Sequence, residues 1–317
     1  MPERFGRARS AIDRRQRRHE PLAFAVGVGR KFLDDRATTH AALIAYYAFL
    51  ALFPLLLALV SLLGIVAESH PDLPAEVLDT ALGRIPVLGD QLEDDVTSLS
   101  GSGAALAIGL VGALWAGLGV TVALGRALDE VRDVPRLEQP GALRRRARGM
   151  AALGVVAIAL LAASVLPGLA LGGGIGPVTQ KVLSFVVALG LNAAVFFCVF
   201  GLLGHRPEHW RALAPGVAVA TFGSLVLQSA GGVYLDRVVL NASEIYGSFA
   251  LVIGLLSWFW LGAHLLLLAA EVNIVLERRL WPRSLDGELG DADRRALAEA
   301  VQAARLDERQ EVVVRFP

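Results

Sequence analysis

Four polar side chains in the last apolar stretch of the chain have types and spacings that could support binding or proton transfer. They are Ser257, Trp260, His264 and Glu271. Intervals of three, four and seven residues place them on one face of a helix, and Asn273 follows two residues after Glu271. Polar groups are costly in hydrocarbon, so each of them needs a structural or functional reason to be there.

Glu271 lies close to the inner end of this stretch, within reach of the membrane interface. The basic residues expected at the same level are Arg36, His40, Arg126 and Arg148. One interpretation is that Glu271 belongs to a site for a lipid headgroup or a proton. The alternative is an ion pair between helices that stabilises the bundle. The sequence leaves both open.

Two further polar side chains, Asn192 and Gln228, lie inside other apolar stretches. Together with the residues of the last stretch they would line a polar cavity in the bundle. Alternatively, each makes one hydrogen bond between helices, which is worth roughly 0.6–2 kcal/mol. The candidate cavity set is Asn192, Gln228, Ser257, Trp260, His264, Glu271 and Asn273.

The sequence shows no motif that supports catalysis. Residues 205–209 (His-Arg-Pro-Glu-His) match the letters of an H-x-x-E-H zinc motif. That motif works on a helix, which Pro207 opposes. The glycine-rich run 172–176 follows no strand and carries no phosphate-binding lysine, and Cys198 is the single cysteine. We therefore predict a protein that is not an enzyme, with no metal site and no cofactor.

Six apolar stretches supply the elements that must position these groups. They are roughly 40–67, 104–124, 147–172, 182–204, 212–235 and 248–276. Each has the about 20 residues that a helix needs to cross a ~30 Å hydrocarbon core. Strands of a membrane barrel would be about 10 residues long, with alternating polarity. The continuous stretches instead predict an all-α polytopic membrane protein with six transmembrane helices.

The distribution of basic residues predicts the orientation of these helices. Arginines are dense before the first stretch and after the second, fourth and sixth, whereas the intervening loops carry Arg84, Lys181 and Arg237. Because basic residues resist translocation, both termini are predicted to be cytoplasmic. The formal net charge of zero therefore hides a basic inner face and an acidic first outer loop.

The polar segments divide the chain into three parts: 1–38, 39–277 and 278–317. The first is a basic cytoplasmic segment, the second the transmembrane domain, and the third a cytoplasmic tail. The outer loop 68–103 has helical apolar periodicity over 74–99, which predicts amphipathic helices across the mouth of the bundle. In the tail, residues 291–305 predict a short helix capped by Asp291.

Residues 21–37 predict an amphipathic helix on the inner leaflet, before the first transmembrane helix. Its apolar face carries Leu22, Val26, Gly29 and Leu33. Lys31 and the other charged residues are expected on the remaining surface.

Four segments carry a family resemblance, and their order matters more than any one of them. They are residues 41–56, with Ala-Tyr-Tyr leading into Leu-Phe-Pro-Leu-Leu; Pro215-Gly216; residues 245–249, Ile-Tyr-Gly-Ser-Phe; and residues 270–273, Ala-Glu-Val-Asn. Together they resemble the YihY/BrkB family of bacterial inner-membrane proteins over about residues 20–280. Ala269 stands where that family usually has glycine, and the segment after Trp115 lacks the usual serine.

The resemblance implies six transmembrane helices with both ends inside, and it brings no secure activity. Members once labelled ribonuclease BN suggest a nuclease, but this sequence has no H-x-H-x-D-H cluster. We expect a protein of the cytoplasmic membrane that transports or accommodates a lipid or another amphiphile. The alternative is a non-transporting envelope scaffold, and a membrane-bound ribonuclease is least favoured.

The expected partners are membrane lipids, with anionic headgroups bound at the cytoplasmic face. No nucleic acid is expected, because topology already explains the basic segments. A homo-oligomer or a partner protein of the envelope is left open. The chain has no ATP-binding motif, so transport would be passive, ion-coupled or driven by a partner.

Overall fold

The computed structural model describes residues 13, 16, 18–69, 103–171, 177–204, 210–234, 248–285, 289–307 and 309–316. The regular secondary structure in these ranges is helical, and no strand occurs in them. The helices are α1 (Glu20–Asp34), α2 (Ala37–Ser69), α3 (Gly103–Val131), α4 (Ala142–Leu171), α5 (Pro177–Leu203), α6 (Trp210–Tyr234), α7 (Ser248–Arg278) and α8 (Asp291–Ala303). A 3-10 turn, Arg136–Glu138, lies between α3 and α4.

Six of these helices, α2 to α7, are long and apolar enough to cross a membrane, which confirms the predicted fold class. Their membrane-spanning parts are Ala37–Leu62, Gly103–Val131, Ala142–Ala163, Val178–Leu203, Arg211–Gly231 and Phe249–Arg278. Several extend beyond the apolar stretches of the sequence. Helical hydrogen bonding does not stop at the edge of the hydrocarbon, so α3 continues through Arg126 and Asp129 to Val131.

The chain forms two compact units, residues 45–120 and residues 1–44 with 121–317. In the first unit, α2 and α3 approach closely at small residues. A Cβ added to Gly109 would lie 2.6 Å from the Ala58 backbone nitrogen, and one added to Gly112 would lie 2.8 Å from Cβ of Pro54. Small residues permit such contacts, which supply dispersion energy where lipid gives no hydrophobic drive.

In the second unit α7 is the central helix. It packs against α6 and α1, and α5 packs against α4 and α6. Leu267, Ile274 and Val275 on α7 are fully buried. The C-terminal half of α7 therefore lies in the core of this unit, which is where Glu271 is found.

Three helices end at a residue other than glycine in the left-handed region. These residues are Arg36 after α1, Asp133 after α3 and Arg279 after α7, with φ of 52°, 50° and 51°. Glycine is the usual residue at this position because it has no Cβ penalty. Each of the three costs of order 1 kcal/mol of backbone strain. Asp133 therefore occupies a position that glycine would take with less strain.

The tail folds back onto the start of the chain. Arg283 pairs with Asp293 on α8 at 2.7 Å and with Asp34 on α1 at 2.8 Å. Gln16 Nε2 donates to the Arg283 carbonyl at 2.6 Å. The prediction that Asp291 caps α8 is wrong. The N-cap is Gly290, and the Asp293 side chain accepts its N–H at 3.1 Å, because a carboxylate at the third helical position reaches back to the cap.

Several predicted features lie outside the described residues. They are the amphipathic segment 74–99, the glycine-rich run 172–176, the H-x-x-E-H letters at 205–209 and residues 245–247 of the family resemblance.

Candidate functional site

A buried lysine organises a charged cluster where α1, the end of α3 and α7 meet. The Lys31 ammonium lies 2.5 Å from Oδ2 of Asp35 and 3.0 Å from Oδ2 of Asp133. It also donates to the Val131 carbonyl at 3.1 Å. The Lys31 side chain is 3% exposed. An ammonium has three donors, and these three acceptors occupy all of them.

Close packing of α1 on the end of α7 explains why Lys31 is buried. A Cβ added to Gly27 would lie 2.9 Å from the Leu280 carbonyl oxygen, so only glycine allows this approach. Lys31 lies one turn after Gly27 and shares its face. The sequence interpretation placed Lys31 on the polar surface, and this is wrong. Leu33, from the predicted apolar face, is 68% exposed.

Arg278 extends the cluster at the end of α7. It lies 3.0 Å from Oδ2 of Asp133 and 2.6 Å from Oε2 of Glu299 on α8. The same Asp133 oxygen therefore faces two cations, Lys31 and Arg278. This double pairing accounts for a strained aspartate at the end of α3, because a glycine there would leave both cations with one carboxylate fewer.

Glu271 lies next to this cluster and is the least compensated group in it. The residue is fully buried, and neither carboxyl oxygen receives a hydrogen bond from any described residue. The charged groups that act on it most strongly are Asp35 and Lys31, and the Asp35 carboxyl is within hydrogen-bonding reach. Most buried polar groups have a partner, so this carboxyl requires an explanation.

The predicted partners of Glu271 are found elsewhere. Arg36 and Arg126 are exposed, and His40 is half-buried. Arg148 donates to the Gly204 carbonyl at 3.4 Å. The nearby cation is Lys31, which the sequence interpretation missed. The only signal for it was the four-residue spacing from Gly27 to Lys31 and from Lys31 to Asp35.

Burial and charge shift the titration of the cluster outside the membrane-spanning helices. Burial raises the pKa of Asp35 from 3.8 to about 6, although the Lys31 ammonium acts to lower it. Burial would lower the pKa of Lys31, but Asp35 and Asp133 outweigh burial and raise it above 10.5. Lys31 therefore remains charged at neutral pH, whereas Asp35 titrates close to neutrality.

A small acidic pocket opens beside the cluster. Its volume is about 140 Å³. Residues from α1, the end of α3, the following turn and α8 line it: Asp34, Asp35, Glu130, Asp133, Val134, Arg136, Gln139, Ala300, Ala303 and Ala304. Asp35 and Asp133 both contact Lys31. Both also line this pocket, which is open to solvent.

The other candidate cavity residues are distributed over three helices. The Asn192 amide donates to the Ala188 carbonyl at 3.2 Å, and His264 Nδ1 lies 2.9 Å from the Trp260 carbonyl. Gln228 is exposed and Ser257 is half-buried. A single cavity lined by all seven residues stays a prediction.

Asn273 makes a contact between helices instead. Its Oδ1 accepts a hydrogen bond from the Gly216 amide of α6 at 2.6 Å, with both residues buried. A Cβ on Gly216 would lie 2.3 Å from the Ala269 carbonyl oxygen. This pair therefore fixes the crossing point of α6 and α7.

An apolar groove of about 540 Å³ lies between α5 and α6. It is lined by Leu189, Ala193, Ala194, Phe197, Cys198, Ala214, Val217, Ala218, Thr221 and Phe222. Two of these residues, Leu189 and Ala193, flank Asn192 on α5. Small side chains on both helices leave the space, and phenylalanines bound it.

The family model described as "Virulence factor BrkB" matches residues 28–291. The "Putative ribonuclease-like protein YfkH" of Bacillus subtilis (strain 168) is 27% identical over 270 residues, which cover 78% of this chain and 95% of that protein. The "Inner membrane protein YhjD" of Escherichia coli (strain K12) is 24% identical over 287 residues, 84% of each chain.

A "UPF0761 membrane protein" of Halorhodospira halophila (strain DSM 244 / SL1) is 26% identical over 298 residues, which cover 89% of this chain and 64% of that protein. No solved structure matches the chain. Because the family model covers most of the sequence and all six apolar helices, the chain belongs to the virulence factor BrkB family and is a multi-pass protein of the cytoplasmic membrane.

Proposed function

We propose that this member of the BrkB family accommodates and moves an amphiphile, a membrane lipid, without catalysing a reaction. The observation that carries the proposal is the groove between α5 and α6. Its volume of about 540 Å³ falls within the roughly 300–1,000 Å³ of small-molecule sites. Its lining is almost entirely apolar, so it suits an acyl chain, which would exchange its dispersion contacts with neighbouring lipids for contacts with these side chains.

The groove also has a charged end that suits an anionic headgroup. Arg211 is exposed at the start of α6, three residues before Ala214 of the groove. Residues three apart lie on neighbouring positions of one helical face. A lipid with its chain along the groove would therefore bring its headgroup to Arg211. The basic segments predicted for the cytoplasmic face would attract the same anionic lipids.

The ribonuclease-like name belongs to the relative from Bacillus subtilis and adds no step to this proposal. The groove offers no acid, base or nucleophile apart from the half-buried Cys198 and the hydroxyl of Thr221. The proposal accordingly assigns no catalytic residue.

A lipid-scrambling assay in proteoliposomes tests the proposal. Ala218→Trp would fill the groove, because Ala218 lines it and is exposed. We expect the rate of fluorescent-lipid exchange between leaflets to fall at least about tenfold, equivalent to ~1.4 kcal/mol of barrier. Ala230→Trp is the matched control, since Ala230 is exposed on the same helix and does not line the groove.

Two results would contradict the proposal. One is wild-type protein that exchanges lipid no faster than empty liposomes. The other is an equal rate for the Ala218→Trp and Ala230→Trp variants, which would show that the groove is not used. Wild-type protein without lipid exchange would favour the alternative function, a non-transporting scaffold of the cell envelope.

A further inference from the structure

The hydrogen bonds around Lys31 leave the carboxyl of Glu271 without a donor. All three donors of the ammonium are used by Asp35, Asp133 and the Val131 carbonyl. Neither oxygen of Glu271 receives a hydrogen bond from another described residue. The group within reach is the carboxyl of Asp35. Two carboxylates are acceptors only, so they can form a hydrogen bond only if one carries a proton.

The charges of the cluster lead to the same requirement. Three carboxyl groups, those of Asp35, Asp133 and Glu271, share the ammonium of Lys31 as their common cation. Arg278 also contacts Asp133, and it is paired with Glu299 as well. With Glu299 included, Lys31 and Arg278 face four carboxyl groups, so the two cations cannot compensate all four if all are ionised. An uncompensated charge in a buried place is very costly.

We propose that Asp35 and Glu271 form a binding site for one exchangeable proton, held in a hydrogen bond between a carboxylic acid and a carboxylate. Glu271, fully buried, carries the proton and donates it to Asp35. Asp35 accepts it while it remains paired with Lys31. This site does not depend on lipid movement.

The charged groups around the pair come from every element packed against it. The first helix, α1, contributes Lys31 and Asp34, and the end of α3 contributes Asp133. Further out are Arg278 of α7 and Glu299 of α8. Glu130 and Arg136 line the acidic pocket beside Asp35. The one cation in direct contact with the pair's carboxyl groups among the described residues is Lys31, and its donors are fully used.

The acidic pocket gives the proton a route to solvent. Asp35 lines this pocket and also faces Glu271. A proton can therefore pass from water to Asp35 and then across the shared hydrogen bond. The pKa of Asp35, which burial raises to about 6, suits exchange near neutral pH.

Loss of the proton has a structural consequence at the contact between α1 and α7. Two carboxylates would then face each other in a buried space, with one ammonium to compensate them. Repulsion would separate α1 from α7, because Asp35 follows α1 and Glu271 lies on α7. The site would thereby link proton occupancy to the packing of the first helix.

Infrared spectroscopy of the full-length protein in lipid nanodiscs tests this inference. At neutral pH most carboxyl groups are ionised, so the carbonyl stretch of a protonated carboxylic acid identifies an unusual group. We expect this band in the wild type and its loss in Glu271→Gln. The matched control is Glu277→Gln on the same helix, where the residue is exposed and the band should remain.

A second variant keeps the inference testable if Glu271→Gln does not fold. Asp35→Asn preserves the shape of the acceptor and removes its charge, so the band should change in position or intensity at neutral pH. A wild-type spectrum without the band at neutral pH would overturn the inference. So would a band that is unchanged in both Glu271→Gln and Asp35→Asn.

Discussion

At the scale of single residues, Lys31 is a buried cation with three acceptors around its ammonium. It pairs with Asp35 at the end of its own helix, and it joins α1 to the end of α3 through the Asp133 carboxylate and the Val131 carbonyl. Such a buried pair is not a simple source of stability, because desolvation offsets much of the attraction. Removing one partner, however, leaves the others charged and buried.

Lys31→Met should therefore destabilise the protein strongly. Asp35 and Asp133 would lose their ammonium, and breaking a buried pair in this way costs roughly 3–5 kcal/mol. Thermal unfolding in detergent measures the loss. Lys181→Met is the matched control, because Lys181 is exposed and is the chain's other lysine. Equal melting temperatures for the two variants would show that the Lys31 cluster does not stabilise the fold.

The raised pKa of Asp35 predicts how the stability of the fold depends on pH. Its pKa is about 6 in the fold against 3.8 ordinarily, so the folded chain binds this proton more tightly than the unfolded chain. The contribution is fully present below pH 3.8 and is lost as pH rises through about 6. This rise in the pKa of Asp35 corresponds to at most ~3 kcal/mol of stability.

Asp35→Asn removes this titration. We expect melting temperatures measured between about pH 4 and about pH 7 to fall less in this variant than in the wild type. Asp34→Asn is the control, since the side chain of Asp34 is 46% exposed, and its pH profile should keep the wild-type slope. A wild-type slope in Asp35→Asn would refute the assignment of this titration to Asp35.

At the scale of the helices, the crossing of α6 and α7 depends on Gly216 and Asn273. Pro215 cannot donate a backbone hydrogen bond, and the next amide, that of Gly216, donates to the Asn273 side chain at 2.6 Å. The two backbones are close enough that a Cβ on Gly216 would meet the Ala269 carbonyl at 2.3 Å. If the two helices moved apart, the hydrogen bond from the Gly216 amide to Asn273 would be lost.

Gly216→Ala should therefore push α6 away from α7. Overpacking of this kind typically costs 1–3 kcal/mol, and the lost hydrogen bond adds to it. Gly190→Ala is the control, because a Cβ there meets nothing within 4 Å. The yield of monodisperse protein and its melting temperature report the effect. A Gly216→Ala variant as stable as Gly190→Ala would show that α6 and α7 leave room for a Cβ at position 216, which would contradict this prediction.

At the scale of the whole molecule, six apolar helices and the family match define a multi-pass membrane protein. Its orientation rests on the alternation of basic segments along the chain. Reporter fusions test it. Reporters placed after residues 90, 176 and 241 should lie outside, and those after residues 138, 208 and 290 should lie inside. One clear inversion among the six fusions would exclude the predicted orientation.

The sequence by itself determined the six membrane helices, because a bilayer accepts only long apolar helices or closed barrels and both leave clear patterns. It also identified Glu271 and Asn273 as polar residues that need a reason to be in the last helix. These conclusions use length, hydropathy and helical spacing, which are properties of a segment and its immediate neighbours.

The tertiary structure decided which groups meet. Lys31 is 240 residues from Glu271 in the sequence. From the sequence alone, a basic residue on a short amphipathic helix is expected at the surface. Only the close contact at Gly27 turns that face of α1 toward α7 and buries the ammonium. Likewise, the sequence predicted that Asn273 lines a cavity, whereas in the fold its side chain accepts a hydrogen bond from the Gly216 amide. Contacts between distant segments depend on packing, which no local pattern encodes.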